Sequence, residues 1–111
     1  MTQESPFIEW HTRPHRELVP GVTIQVVSGR NIMFSRVTIA PAAVVPLHNH
    51  PHEQFGYVME GDVVFTIGSE TKHLVPGDHY TIPGNVMHTV VAGPDGALCM
   101  DIFSPPREEY R

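Results

Sequence analysis

The chain has 111 residues, a formal net charge of -5 and one cysteine. Seven lysines and arginines stand against twelve acidic residues without forming a basic stripe, which argues against nucleic acid as a partner. The lone Cys99 excludes an internal disulfide framework. No apolar run approaches the roughly 20 residues of a membrane span, and the first residues do not resemble a signal peptide. We therefore expect a cytoplasmic protein with no membrane partner and a single domain over residues 1–111.

Eleven prolines and nine glycines divide the chain into short segments. The segments between them are rich in β-branched and aromatic residues, and no window keeps a helical apolar period beyond about two turns. This composition predicts strands rather than helices. In chain order the predicted strands are 22–27, 32–39, 55–60, 62–67, 71–75, 79–82, 88–92 and 97–103.

The spacing of these strands predicts the architecture. About eight short strands, separated by turn signals such as "EGD", "PGD" and "GPDG", are typical of an all-β sandwich or barrel. We expect the barrel core over about residues 22–104. The first 20 residues and residues 104–111 are expected to wrap the outside, where an open sheet edge would otherwise associate. The small size and such an edge favour a homodimer.

The segment "LHNHPHEQFGYVMEG", residues 47–61, gathers metal-capable side chains. On a strand the side chains alternate, so His48, His50 and Gln54 share one face while Glu53 points to solvent. Imidazole nitrogens and an amide oxygen bind borderline divalent metals. His88 opens a later strand after the turn "PGNVMH" and is the candidate for a further ligand.

The remaining histidines and one arginine receive other interpretations. His52 has the parity of the cluster, but Pro51 disturbs the alternation there, and we interpret it as a structural residue beside the site. Arg36 interrupts an apolar strand and is a candidate partner for a buried carboxylate such as Asp101. The histidines interpreted as non-ligands are His11, His15, His73 and His79.

Two segments resemble the conserved motifs of the cupins. "HNHPHEQFGYVMEG" is similar to the first motif, and "GDHYTIPGNVMH" is similar to the second. Together they span residues 48–88, with the matching positions His48, His50, Gln54, Gly61, Gly77, Pro83, Asn85 and His88. The resemblance implies an all-β cupin fold, a jelly-roll barrel (double-stranded β-helix) that holds a metal inside.

A narrower resemblance begins at Gln54, where most cupins carry glutamate. The KdgF-type pectin degradation proteins have a glutamine among their metal ligands and end in a segment similar to "DIFSPPREEY", residues 101–110. These proteins open the ring of 4,5-unsaturated uronate monosaccharides to give linear keto sugars. In them the residues that correspond to Asp101, Phe103 and Arg107 are linked to activity. The resemblance, over about residues 32–110, therefore implies a metal-dependent enzyme with Asp101 catalytic and Phe103 and Arg107 substrate-binding.

The implied ligand set consists of neutral groups: His48, His50, Gln54 and His88. It leaves one divalent transition metal with its charge of about +2, which favours a small anionic, sugar-like substrate. Zn, Ni, Mn, Fe and Co all fit such a set. In this scheme Asp101 is the general acid or base, Phe103 an apolar wall, and Arg107 a bidentate clamp on a carboxylate.

Structural roles for the same residues stay open from the sequence. Asp101 also fits a buried hydrogen-bonding carboxylate, and Phe103 fits the core. Arg107 also fits a surface ion pair with Glu108, Glu109 or Asp101.

Two other functions compete with the enzyme on uronates: a cupin dioxygenase and a non-catalytic small-ligand binding protein or sensor. Gln54 disfavours the dioxygenase, because a facial Fe(II) site more often offers a carboxylate. The sequence shows no attached DNA-binding segment, which disfavours the sensor.

Overall fold

The computed structural model describes residues 5–111, which form eight strands and two short 3-10 turns. No helix in this part of the chain is long and apolar enough to cross a membrane. The 3-10 turns are Trp10–Thr12 and Glu108–Tyr110. The strands are β1 (Arg16–Val19), β2 (Val22–Ser28), β3 (Met33–Ile39), β4 (Val44–His48), β5 (Glu53–Ile67), β6 (Glu70–Leu74), β7 (His79–Ile82) and β8 (His88–Ser104).

The two long strands, β5 and β8, pair antiparallel along most of their length. Register shifts between Val58 and Glu60 and between Gly61 and Val63 divide this pairing, and such bulges bend a strand. Residues 54–57 of β5 also pair with β7, and residues 97–103 of β8 pair with β3, which continues through β2 to β1. Beyond the shifts, β5 pairs with β6 and β8 with β4. The long strands therefore join two halves of one continuous eight-stranded sheet.

The core lies between the two halves of this sheet. Val22 and Val58 from one half and Val63 from the other are each at most 1% exposed and belong to one apolar cluster. Along β3, burial alternates with period two, as expected for a strand with one face on the core. The predicted all-β jelly-roll barrel is confirmed.

The strand boundaries differ from the sequence prediction in two ways. The predicted strands 55–60 and 62–67 are one strand, and so are 88–92 and 97–103. The "EGD" and "GPDG" segments, which the sequence analysis interprets as turn signals between strands, contain glycines with positive φ, Gly61 at 71° and Gly96 at 77°. In the fold these glycines pack against each other, and a Cβ on Gly61 would overlap the carbonyl oxygen of Gly96. Gly61 and Gly96 therefore lie at bends within the continuous strands β5 and β8.

Two strands were missed, β1 and β4. β4 has the sequence "VVPLH", and its proline reads as a strand breaker. Pro46 is accommodated because the β4–β8 pairing is irregular between Val45 and His48. β1 is only four residues long and lies at a sheet edge.

The described part of the N-terminal segment lies over β2. The Gln25 side-chain amide donates to the carbonyl oxygens of Trp10 and Arg13, at 2.7 and 3.1 Å. Gln25 is therefore only 2% exposed, although it alternates with the core residue Ile24. Residues 1–4, the start of the segment expected to wrap the barrel, lie outside the described residues.

The expectation that Arg36 reaches Asp101 is wrong. In the β3–β8 register Asp101 is opposite Ser35, whereas Arg36 is opposite Met100 and so points to the other face. Its Nη1 donates to Gln25 Oε1 at 3.2 Å, and its guanidinium lies 5.8 Å from the centre of the Trp10 ring. Arg36 therefore helps to hold the N-terminal segment on the outer face.

Candidate metal centre and adjoining cavity

Three histidines converge at one end of the barrel. His48 ends β4 and His88 begins β8, and the two are cross-strand partners. His50 approaches from the loop that joins β4 to β5. One ring nitrogen from each histidine lies within 4.8 Å of the other two. The ring centres of His48 and His88 are 4.3 Å apart, and those of His50 and His88 are 5.0 Å apart.

The loop that carries His50 is fastened to the turn that precedes His88. The backbone N–H of Asn85 donates to the His50 carbonyl oxygen at 2.7 Å. The Asn49 side-chain amide donates to the Asn85 carbonyl oxygen at 3.2 Å. Asn85 has φ 68°, a left-handed conformation that asparagine tolerates better than most residues. These bonds hold the two motif segments together.

The residues between His48 and Gln54 are not a continuous strand, as the alternation argument assumed. β4 ends at His48, residues 49–52 form a loop, and β5 begins at Glu53. The facing of the next two residues nevertheless agrees with the prediction: Glu53 is exposed, and Gln54 is 4% exposed and lines the interior cavity. The side chains of Glu53 and Gln54 point to opposite faces because both residues belong to β5, which begins at Glu53.

All three histidines use Nδ1 in the same way. Each Nδ1 faces a backbone carbonyl oxygen two residues away, and a neutral ring that donates from Nδ1 keeps a free lone pair on Nε2. Burial lowers the pKa of His88 to about 4. Burial is also the main cause of the lowered pKa of His50, and the positive charge of Arg107 is the second cause. The Nδ1–oxygen distances are 2.7 Å for His48 to Pro46, 3.1 Å for His50 to His52 and 2.9 Å for His88 to Val86.

Gln54 completes the cluster. Its Oε1 lies 3.1 Å from Nε2 of His50, and its amide group hydrogen-bonds to the Asp101 carboxylate. Because a carboxylate accepts, the amide nitrogen faces Asp101 and the oxygen faces the histidines. With the ring proton of His50 on Nδ1, Nε2 and Oε1 are two acceptors in contact. A cation between them removes the conflict, so these donors fit a borderline divalent transition metal.

Next to the histidine cluster, a row of paired residues crosses four strands on the inner face of the barrel. Ser35 of β3 pairs with Asp101 of β8, Asp101 with Gly56 of β5, and Gly56 with Tyr80 of β7. Tyr80 donates from its hydroxyl to Oδ1 of Asp101 at 2.6 Å. Ser35 is fully buried, and its hydroxyl has no hydrogen-bond partner among residues 5–111. This row places polar groups in an otherwise apolar interior.

Asp101 is the one carboxylate among the described residues that line the interior cavity. Burial raises its pKa to about 6, against the hydrogen bonds from Tyr80 and Gln54 and the charge of Arg107. Burial, followed by the Asp101 charge, raises the pKa of Tyr80 well above its usual value. Tyr80 therefore remains a hydrogen-bond donor throughout the neutral range.

The C-terminal segment forms one wall of the cavity. Phe103 is 3% exposed and meets the His50 ring edge-on, with ring centres 5.6 Å apart. Arg107 is largely buried and donates from Nη1 to the Tyr110 hydroxyl at 2.8 Å and from Nη2 to Glu109 at 3.0 Å. The Glu109 pairing left open by the sequence is thus present. The Nε–H of Arg107 has no hydrogen-bond partner among residues 5–111, and a guanidinium has five N–H donors, so Arg107 keeps donors for a substrate carboxylate while both contacts persist.

The cavity has an inner and an outer part. The inner part, of about 50 Å³, contains His48, His88, Gln54 and Asp101, and it has room for a few water molecules. An adjoining groove of about 270 Å³ is lined by Leu18, Val19, Val22, Val45, Pro46, His48, Arg107 and Tyr110. The two parts share six lining residues: Leu18, Val22, Val45, His48, Arg107 and Tyr110. A ligand in the groove therefore lies beside the histidine cluster.

Sequence reasoning missed Tyr80, Gly56 and Tyr110. Tyr80 and Tyr110 lie inside the two quoted segments "GDHYTIPGNVMH" and "DIFSPPREEY", but only the fold brings them to the cavity. His73 and His79, which the sequence analysis interprets as non-ligands, lie outside the histidine cluster found among the described residues. His73 pairs with Asp62 at 2.6 Å on the surface. His79 stacks on Tyr57, away from the cluster.

Comparisons with known proteins agree with the fold. Residues 35–103 match the family model for the cupin domain. The pectin degradation protein KdgF of Dickeya dadantii is 33% identical over 106 residues, which cover 94% of this chain and 96% of that protein. The structure of KdgF from Halomonas sp. superposes with a TM-score of 0.89 at 31% identity, covering 98% of this chain and all of that one. An RmlC-like cupin from Shewanella frigidimarina superposes with a TM-score of 0.90 at 28% identity, covering both chains in full.

Proposed function

We propose that this chain, which belongs to the cupin family and within it to the KdgF-type pectin degradation proteins, opens the ring of small 4,5-unsaturated uronates. The product would be the linear keto sugar, an isomer of the substrate. The name of the Dickeya dadantii relative states a role in pectin degradation, and the proposal extends that role to a specific reaction of this chain.

The observation that carries the proposal is the contact between His50 and Gln54. Their facing acceptors, 3.1 Å apart within a cluster of three histidines, favour a bound cation. We infer that His48, His50, Gln54 and His88 hold one divalent transition metal. When bound, the metal would supply Lewis-acid stabilisation of negative charge on the substrate's carboxylate and ring oxygens. The ligands are all neutral, so this positive charge is not reduced.

The groove suits a monosaccharide acid. Its apolar side chains, such as Leu18 and Val45, offer a surface to the sugar face, while Arg107 contributes positive charge at the rim. The inner part is too small for a sugar ring. The substrate would therefore lie in the groove with its carboxylate toward the histidines and Arg107.

Ring opening requires proton transfers at two substrate positions. The hydroxyl at C1 loses its proton as the bond between C1 and the ring oxygen breaks, and C4 gains a proton as C5 becomes a ketone. No atom is gained or lost overall. Asp101 is the carboxylate nearest this chemistry among the described cavity residues. It would take the proton from the C1 hydroxyl and, as the carboxylic acid, return one to C4.

The test is turnover of 4,5-unsaturated galacturonate by the purified, metal-loaded protein. Ring opening removes the conjugated double bond, so the expected result is a loss of its ultraviolet absorbance. The loss should stop after chelation and resume after metal is returned. Absence of turnover with every divalent transition metal supplied would overturn the proposal.

A matched pair of variants separates the site from general effects. His88→Ala removes a buried member of the cluster, whereas His79→Ala removes an exposed histidine from β7, outside it. The first should abolish turnover and the second should leave it unchanged. Equal turnover by both variants would exclude this cluster as the centre.

A further inference from the structure

We propose that Tyr80 is a positioning residue for Asp101, and that Gly56 is the residue that makes their contact possible. This inference rests on the proposed function, because it concerns the group that moves protons in that reaction. It concerns residues that the sequence motifs did not single out.

The contact is made across a strand. Tyr80 and Asp101 lie on β7 and β8, which do not pair with each other but flank β5 at Gly56. The Tyr80 side chain reaches over Gly56 and donates to Oδ1 of Asp101 at 2.6 Å. A side chain at residue 56 would fill this path. A Cβ built on Gly56 would overlap Oδ1 of Asp101 and would lie 2.7 Å from the Tyr80 ring.

Tyr80 is itself held firmly. It is 7% exposed, and its ring packs against Phe65 with ring centres 4.5 Å apart. A phenol fixed in this way has little freedom to follow a moving partner. Its hydroxyl therefore determines where Oδ1 of Asp101 lies, rather than the reverse.

The second constraint on Asp101 comes from Gln54, whose amide also donates to the carboxylate. Two donors from different strands fix the plane of the carboxylate and leave its remaining lone pairs for the substrate. Fixing a reacting group before the substrate arrives removes an entropic part of the barrier, and a misplacement of about 1 Å costs on the order of 10²-fold in rate. Tyr80 would act through this effect without touching the substrate.

The experiment compares Tyr80→Phe with the wild type and with Tyr57→Phe. Tyr80→Phe keeps the ring and loses only the hydroxyl. Tyr57 lies on β5, one residue from Gly56 on the opposite face, and its variant is the matched control. We expect Tyr80→Phe to lower kcat about ten- to a hundredfold with KM and metal content little changed. Tyr57→Phe should match the wild type.

Combination with Asp101→Asn tests whether Tyr80 acts through Asp101. In that background Tyr80→Phe should cause little further loss, because the two changes affect one group. Independent, multiplicative losses would overturn the positioning role. An unchanged kcat in Tyr80→Phe, with an active wild type, would overturn it as well.

A structural measurement keeps the inference testable if the wild type proves inactive on uronates. In crystals of Tyr80→Phe the Asp101 carboxylate should be rotated from its wild-type orientation or occupy more than one. Gly56→Ala should displace the same carboxylate while the Tyr80 hydroxyl is still present. A carboxylate that stays in place in Tyr80→Phe would overturn the inference. An inactive wild type in which the carboxylate moves would instead overturn only the proposed reaction.

Discussion

The Nε2 atom of His50 lies 3.1 Å from the Oε1 atom of Gln54, while Nδ1 of His50 faces the His52 carbonyl oxygen at the same distance. A neutral imidazole cannot donate to both oxygens. Burial lowers the pKa of His50 and opposes the doubly protonated form. In one of the two contacts, two hydrogen-bond acceptors therefore face each other unless a cation lies between them. The rings of His48 and His88 are close enough to bind the same cation.

Removal of one histidine of this cluster should remove the metal. His88→Ala should lose bound metal from about one equivalent to background, because its Nε2 is one of few donors available inside the barrel. Metal content after purification, measured by mass spectrometry of the elements, checks this. His73→Ala, which removes a surface histidine paired with Asp62, is the control. Full metal occupancy in His88→Ala would place the ion elsewhere.

Gln54→Glu should retain metal and weaken the binding of anionic substrates. The added carboxylate lowers the net charge of the centre. It also puts a second carboxylate against Asp101, which in metal-free protein should lower the melting temperature by several degrees. Titration with a uronate and thermal melting measure the two effects. Wild-type affinity in this variant would mean that the amide serves another purpose.

The double variant Gln54→Glu with Asp101→Asn separates these two effects. In this double variant residue 54 carries the carboxylate and residue 101 carries the amide, so a hydrogen bond between the two side chains can form again. We expect the melting temperature to recover while turnover stays low. A double variant no more stable than Gln54→Glu would show that the two side chains are not in contact.

Asp101→Asn should lower kcat by about 10²-fold or more, the usual effect of losing a general acid or base. The change is nearly isosteric, so the fold and the metal content should persist. Steady-state kinetics with thermal melting and metal analysis provide the measurement. If the melting temperature falls sharply while activity per folded molecule is unchanged, Asp101 is a structural carboxylate.

Changes at Arg107 and Glu109 should move KM in opposite directions. Arg107→Ala should raise KM for anionic substrates, because the charge acts in ground state and transition state alike. Glu109→Gln removes the carboxylate that accepts from Nη2 of Arg107 at 3.0 Å and should lower KM. The melting temperature of each variant is measured together with its KM, because Arg107 is largely buried and its loss also affects the fold. A KM that rises in both variants would indicate that the pair supports the fold alone.

Cys99 should be unreactive in the folded protein. It is 3% exposed, and burial followed by the Asp101 charge raises its pKa to about 12. Because the thiolate is the reactive form, a disulfide reagent at about pH 8 should label the thiol only after denaturation. Rapid labelling of the native protein would show that the barrel interior opens readily.

Much of the site followed from local sequence. The spacing of His48 and His50 in one segment, and of His88 in another, identified the side chains that the fold brings together. Gln54 was also assigned to the inner face, although the loop at residues 49–52 breaks the strand that the argument assumed. The sequence succeeded here because β5 begins one residue before Gln54, so the alternation is local.

The contacts that depend on register between distant strands could not be predicted. Tyr80 meets Asp101 only because β7 and β8 flank β5 at a glycine, and no local pattern displays that alignment. The direction of Arg36 depends in the same way on its pairing opposite Met100. The glycines at positions 61 and 96 were read as turns because a bulge and a turn favour the same backbone conformation.

The mass and proton spectrum of the product test the central claim most directly. Metal-loaded protein supplied with 4,5-unsaturated galacturonate should give a product of unchanged mass that lacks the vinyl proton and, when formed in heavy water, carries deuterium on C4. That result is expected of an isomerisation in which Asp101 or solvent delivers the proton to C4. A product that has gained oxygen atoms would indicate a dioxygenase, and substrate recovered unchanged would indicate a binding protein. Either result would contradict the ring-opening account.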